Sequence, residues 1–300
     1  DHRDLHSFPT RRSSDLPWVA NEEDGALPSR IHRLGLMTKW EVATAAPRPL
    51  GRRRAKERPG TAVACQKDIE SKWYPHRCRE IRETPRYHRR QWEYAYTLEA
   101  LDSYGVLERG MKLCGIYQEH DPIAAAVVAR GCALDVVRLG GNGDDREEIA
   151  GEDIDDESLK LALNDRGIAD SSEFDERVVV FGKGKPRSRR SQKRPLARAI
   201  YGIGYLNWLC GQTDPLGAIV TLQPWIRDDA ILVFTGNYVV DVVEEPGNEW
   251  VATHSMTSGR LRQWSEEFSR RGLDVVGPRM IVAEGVVDRG IDPESYYDKL

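Results

Sequence analysis

Apolar and polar positions alternate in short blocks from about residue 90 onward, and the period of the blocks changes along the chain. Residues 89–101 (RRQWEYAYTLEAL) set Trp92, Tyr96 and Glu99 near one helical face, with Ala95 and Leu98 alongside, and predict a helix ending near Gly105. Residues 111–116 (MKLCGI) form an apolar run of strand length. Asp121 and Pro122 then suit a helix start: Asp caps free N–H groups, and Pro lacks the N–H that a first turn leaves unpaired. That helix, 123–129, stops at Arg130-Gly131, and 133–139 (ALDVVRL) reads as a second strand. Strand, helix and strand at this spacing make a βαβ unit, which requires parallel pairing and a right-handed crossover.

The alternation continues to the far end. Short helices are predicted over 157–163 and 171–177, then strands over 178–181 and 197–206, the latter holding two glycines (ARAIYGIGYL). A helix over 214–225 precedes the clearest strand, 230–235 (AILVFT). Leu261, Trp264, Glu267 and Phe268 give 258–271 an amphipathic helical pattern, closed by basic residues and Gly272. Residues 275–276 and 280–287 are the last strand candidates; 291–300 (IDPESYYDKL) does not read as a closing strand. The predicted fold is α/β, a Rossmann-like doubly wound, mostly parallel sheet of six to seven strands, with the final strand not found in the sequence.

The first part of the chain reads differently. Residues 4–16 (DLHSFPTRRSSDL) resemble a translated sequencing adapter, so 1–16 are set aside as non-native. Residues 17–64 lack apolar periodicity and include the Pro- and Arg-rich run 46–60. Such composition buries too little surface to offset the entropy of ordering, so 17–64 is expected to be a disordered basic leader, with Met37 a candidate start. The α/β domain is assigned to 65–300.

Composition removes some alternatives. A net charge of −4 and a pI near 6.1 give no overall footprint for nucleic acid. Cys65, Cys78, Cys114, Cys132 and Cys210 are odd in number and contain no CxxC pair, which argues against a structural zinc site. Free buried thiols in a reducing compartment, hence the cytoplasm, are expected. The acidic run 142–157 lacks the Gly and closing Glu of an EF-hand loop, so no metal is expected there. Apolar runs fall short of the roughly 18 residues of a membrane span.

Taken together, WEYAYTLEAL, DPIAAAVVARGCALDVVRL, LNDRGIADSSEFDERV, ILVFTGNY and LRQWSEEFSRRGLDV resemble class I S-adenosylmethionine-dependent methyltransferases over about 89–276. The likeness is to a bacterial group in which a WE[FY] helix precedes a glycine loop ending in a [DE]P pair, followed by an ARGC-like turn. It implies a seven-stranded, mostly parallel sheet whose last strand is antiparallel. The cofactor S-adenosylmethionine would lie across the carboxyl ends of the first strands, at the topological switch point. Catalysis would consist mainly of aligning nucleophile, methyl and sulfur.

The same resemblance marks site residues. Trp92 and Glu93 are candidates for closing over the cofactor, the plainer alternative being a packed aromatic with a solvated neighbour. Gly115, Tyr117, Glu119 and Asp121 fall in the cofactor loop, where only Gly115 remains of the glycines. Arg138 falls where the family carries an acid for the ribose hydroxyls, and arginine has no acceptor. Asp135 stands three residues earlier, on the other face of the strand. Lys183 and its neighbours stand where an acid would read the adenine. Asn207 and Asn237, with Thr235, follow strand candidates and are the catalytic candidates, with turn-forming Asn as the alternative. His120 is a candidate base or a helix-entry residue.

The function expected is that of a methyltransferase-like protein acting on a small-molecule or saccharide acceptor, its activity left open. One rival is a pseudoenzyme keeping the fold as an interaction module. Another is a nucleic-acid-binding relative using 182–195, which holds seven Lys and Arg, no acid and no aromatic. That segment also reads as a solvated loop or a compensated frameshift, and nucleic acid is not the expected partner.

Overall fold

The computed structural model describes residues 31–40, 59–64, 66–117, 121–138, 155–181, 196–222, 225–239 and 254–276. Its strands are β1 (Ile31–Trp40), β2 (Ala62–Val63), β3 (Lys112–Tyr117), β4 (Ala133–Arg138), β5 (Val178–Phe181), β6 (Ala197–Gly202), β7 (Ile226–Val239), β8 (Met256–Thr257) and β9 (Leu273–Val275). Its helices are α1 (Gln66–Ile69), α2 (Trp73–Glu80), α3 (Arg89–Ser103), α4 (Ile123–Ala129), α5 (Asp156–Leu163), α6 (Ser171–Arg177), α7 (Tyr205–Cys210), α8 (Pro215–Val220) and α9 (Ser258–Arg270).

Nine strands among the described residues form one sheet, ordered β2-β1-β7-β6-β3-β4-β5 with β8 against β7 and β9 against β1. The run β7-β6-β3-β4-β5 is parallel throughout. From β3 the chain steps outward through β4 to β5, then returns to β6 on the other side and continues to β7. The order therefore reverses between β3 and β6, which makes their carboxyl ends the topological switch point. This is the Rossmann-like doubly wound architecture.

Strand alternation divides the core in two. Leu113, Ala199, Tyr201, Ile231 and Val233 pack on the side of α3, α4, α5 and α6. Cys114, Ile116, Ile200, Leu232 and Phe234 pack on the side of α7, α8 and α9. Successive strand side chains face opposite ways, so neighbouring residues join different layers. Helix ends follow local chemistry. Asp121 Oδ1 accepts from the N–H groups of Ile123 and Ala124 at 2.9 and 3.3 Å, and Asp170 caps α6. Gly131 ends the α4 turn with φ 80°, a conformation that costs an L-residue about 1–2 kcal/mol.

Three expectations need correction. The strand read over 197–206 ends at Gly202, because a turn with Gly204 at φ 72° starts α7 at Tyr205. The helix read over 214–225 is only α8, and β7 runs from Ile226 well past the expected 230–235. The largest correction concerns the leader: β1, inside 17–64, pairs antiparallel with β7 from Ile31↔Val239 to Lys39↔Ile231. It also pairs antiparallel with β9 and β2. The antiparallel member that was not found near the C-terminus is thus supplied from the N-terminal side. Residues 280–287 and 1–16 lie outside the described residues.

Leu36 sits in the middle of the β1 ladder, opposite Phe234. Proline there interrupts an interior strand. Leu36→Pro should lower the melting temperature by about 4 °C or more for a domain of this size. An unchanged melting temperature would mean that this segment is a leader outside the sheet.

Candidate functional site

The switch point gathers residues from distant parts of the chain. Tyr117 and Arg138 end β3 and β4 side by side in register, and Gly202 ends β6 near Ile116 on the other side of β3. Beyond Gly202 the chain turns through Ile203 and Gly204 into α7. We refer to 202–204 as the elbow.

One hydrogen bond seats the elbow on β7 and a second seats α7 there. The Gly204 N–H donates to Thr235 Oγ1 at 2.9 Å. The Asn237 N–H donates to Asn207 Oδ1 at 2.6 Å. Between these clamps lies Gly236, where a Cβ would come within 2.6 Å of Leu206 Cβ and 2.8 Å of Asn207 Oδ1. Only a glycine lets α7 approach β7 this closely. Thr235 then donates to Glu93 Oε2 at 2.8 Å, and Arg90 Nη1 donates to the same oxygen at 2.9 Å. Thr235 and Glu93 are wholly buried and Arg90 nearly so. A continuous polar chain therefore runs from α3 through β7 to the elbow.

The structure brings together Glu93, Thr235, Asn207 and Asn237, and it changes how each is read. Glu93 is not a solvated neighbour of a packed aromatic but half of a buried ion pair. Trp92 is buried, stacks on Tyr96 with ring centroids 4.6 Å apart, and donates its indole N–H to Asp68 at 3.1 Å. Its visible contacts are those of packing between α1 and α3. Asn207 lies within α7 and Asn237 within β7, so neither simply follows a strand as expected. Asp121 is buried at the start of α4, where it serves as a cap. Glu119 and His120 lie outside the described residues, as does 182–195 with Lys183.

Gly115 has a clear local role. An added Cβ would lie 2.8 Å from the Tyr201 hydroxyl oxygen and 2.9 Å from its ring carbon. Tyr201 is its partner in the neighbouring strand β6. Burial above all, with Asp121 and Cys114 nearby, pushes the Tyr201 phenol well up, so it stays neutral. The glycine is required because a phenol fills the space above it.

The electrostatics of the sheet floor are settled by pairs. Lys112 Nζ lies 2.6 Å from Asp135 Oδ2, both nearly buried. This engages the acid nearest to Arg138. Burial pushes the thiol of Cys78 up to about 12 and that of Cys132 up to about 11, and pushes Cys114 higher still, so these thiols are poor nucleophiles at neutral pH. Among the described residues no three His, Cys, Asp or Glu side chains gather as metal ligands, and no helix is long and apolar enough to cross a membrane.

The nucleoside clamp that the sequence resemblance implies does not fit the described residues. The carboxylate expected at the end of β4 is replaced by Arg138, and Asp135 is held by Lys112. Sequence periodicity does not mark Arg90, Tyr201 and Gly236, and it places Gly204 only as one of two glycines in a strand. The glycine pair of the YGIGY text and the glycine between Thr235 and Asn237 were the signals that could have found the elbow.

No known family model and no curated protein matches the chain. A solved structure that resembles it is a SAM-dependent methyltransferase from Geobacter sulfurreducens in complex with S-adenosyl-L-homocysteine, at 17% identity and a TM-score of 0.36. The match covers 57% of this chain and 60% of that one.

Adding a methyl at Gly115 overpacks the floor against Tyr201. Gly115→Ala should destabilise the fold by about 1–3 kcal/mol, read from the urea midpoint. Adding Tyr201→Leu should return part of that loss, since the blocking ring is then gone. A neutral single substitution would show that the phenol does not occupy this space.

Proposed function

We propose that this chain is a methyltransferase-like protein whose cleft opens at the carboxyl ends of β3 and β6 and which acts on a small-molecule or saccharide acceptor. The observation that carries this reading is the reversal of strand order at β3 and β6, with a glycine elbow clamped beside it. Ligands of open α/β sheets bind in such crevices. S-adenosylmethionine is the methyl donor in this reading, held without the carboxylate that normally grips its ribose. The chain's own residues supply a fixed wall rather than reacting groups: Thr235 holds the elbow, Asn207 ties α7 to β7, and Gly236 admits α7.

A second reading, a pseudoenzyme that keeps the fold as an interaction module, is favoured by one observation. Arg138 ends β4 where an acceptor is needed, and a guanidinium only donates. The two readings separate in a calorimetric titration with S-adenosylhomocysteine. The methyltransferase reading expects measurable binding by the natural chain. It further expects Arg138→Asp to tighten binding roughly tenfold or more, the worth of one hydrogen bond to a charged group. Absence of heat with both proteins would remove the methyltransferase reading and leave the pseudoenzyme.

A further inference from the structure

The chain of bonds from α3 to the elbow has a feature that packing alone does not call for. Glu93 and Arg90 stand one turn apart on α3, both are buried, and Glu93 meets β7 at Thr235. Removing two charges from water costs several kcal/mol per ion, so such a pair adds little net stability over an apolar pair of the same volume. Its chemical yield is directional. The carboxylate accepts the Thr235 hydroxyl proton at 2.8 Å, and this leaves the Thr235 oxygen lone pairs to accept the Gly204 N–H at 2.9 Å. A threonine hydroxyl has only one proton to give. With that proton committed to Glu93, its oxygen faces Gly204 as an acceptor.

Gly204 is the residue that needs such a hold. Its φ of 72° lies in the left-handed region, and it stands immediately before Tyr205, the first residue of α7. Asn207 lies within that helix, two residues on from Tyr205, and its Oδ1 is taken by the Asn237 N–H. The Asn207 amide therefore keeps its two Nδ2 protons as donors. The conformation of Gly204 thus sets where that donor stands.

We propose that Glu93 and Thr235 are positioning residues. The Glu93 carboxylate fixes the Thr235 hydroxyl as an acceptor, Thr235 fixes the Gly204 elbow, and the elbow places the Asn207 amide as a donor for an oxygen acceptor on the bound ligand. The last step rests on the methyltransferase-like reading of the cleft; the first two do not.

The test uses the full chain and three variants: Thr235→Val, Thr235→Ser and Glu93→Gln. Amide hydrogen exchange is followed at Gly204 and, as references, at Leu113 in β3 and Leu134 in β4. Thr235→Val keeps the shape but removes the hydroxyl, and should speed exchange at Gly204 about tenfold or more, the loss of one buried hydrogen bond. Leu113 and Leu134 should be unchanged. Thr235→Ser should restore protection, and Glu93→Gln should loosen Gly204 in the same selective way. Equal acceleration at all three amides, an unchanged Gly204, or failure of serine to restore it would each overturn the proposal. A parallel titration with S-adenosylhomocysteine treats the last step separately. If the natural chain binds it, Thr235→Val should weaken binding about tenfold and Thr235→Ser should not; equal affinities overturn the link from elbow to ligand. If the natural chain does not bind it, the methyltransferase-like reading falls with that last step, and the exchange data still decide the first two.

Discussion

A carboxylate sealed from water is the constraint on which this fold turns. Glu93 and Thr235 are 142 residues apart in sequence, yet their side chains meet at 2.8 Å inside the protein. The contact can form only if α3 lies on β7 with one rotation about its own axis. A helix turned by one residue would move Glu93 about 100° away and leave a buried charge without Thr235. Arg90, one turn earlier, makes the charge tolerable. Gln91 Oε1, which accepts from the Tyr74 hydroxyl at 3.0 Å, and Glu99, which accepts from Arg77 at 2.8 Å, tie the same helix to α2.

The contact continues to the elbow and to α7 through short links. Thr235 holds Gly204, Gly236 admits α7, and Asn207 holds the Asn237 backbone. On the other side of the switch point the floor is closed by a different device, a neutral phenol lying over Gly115. The Lys112–Asp135 pair neutralises the acid beneath Arg138. At the switch point the elbow is thus bonded to β7, a phenol fills the space over Gly115 of β3, and Arg138 ends β4. The architecture is that of a doubly wound sheet, and the residue that ends β4 is a cation with no acceptor to offer.

Much of this was legible in the sequence, and the failures share a cause. Helix α3, the β3–α4–β4 unit, α6, β5 and α9 follow from local period and from stop signals such as Gly131, because their residues bury faces set by neighbours a few positions away. The elbow was read as strand, since YGIGYL is apolar throughout and periodicity cannot show where glycines break a run. Strand β1 was read as leader because its pairing partner is about two hundred residues away in β7. The site was only half legible. Glu93, Thr235, Asn207 and Asn237 were singled out, but the reason, a chain of bonds linking three elements, is a property of the tertiary fold. Arg90 and Tyr201 carried no local signal at all.

A double-mutant cycle between Glu93 and Thr235 tests most directly whether this contact organises the domain. Unfolding free energies would be measured for the natural chain, Glu93→Gln, Thr235→Val and the double variant. Residues joined in one buried network couple by about 0.5–3 kcal/mol, and a coupling of about 1 kcal/mol or more is expected here. Additive effects, with a coupling near zero, would contradict the account and reduce the pair to two independent packing residues.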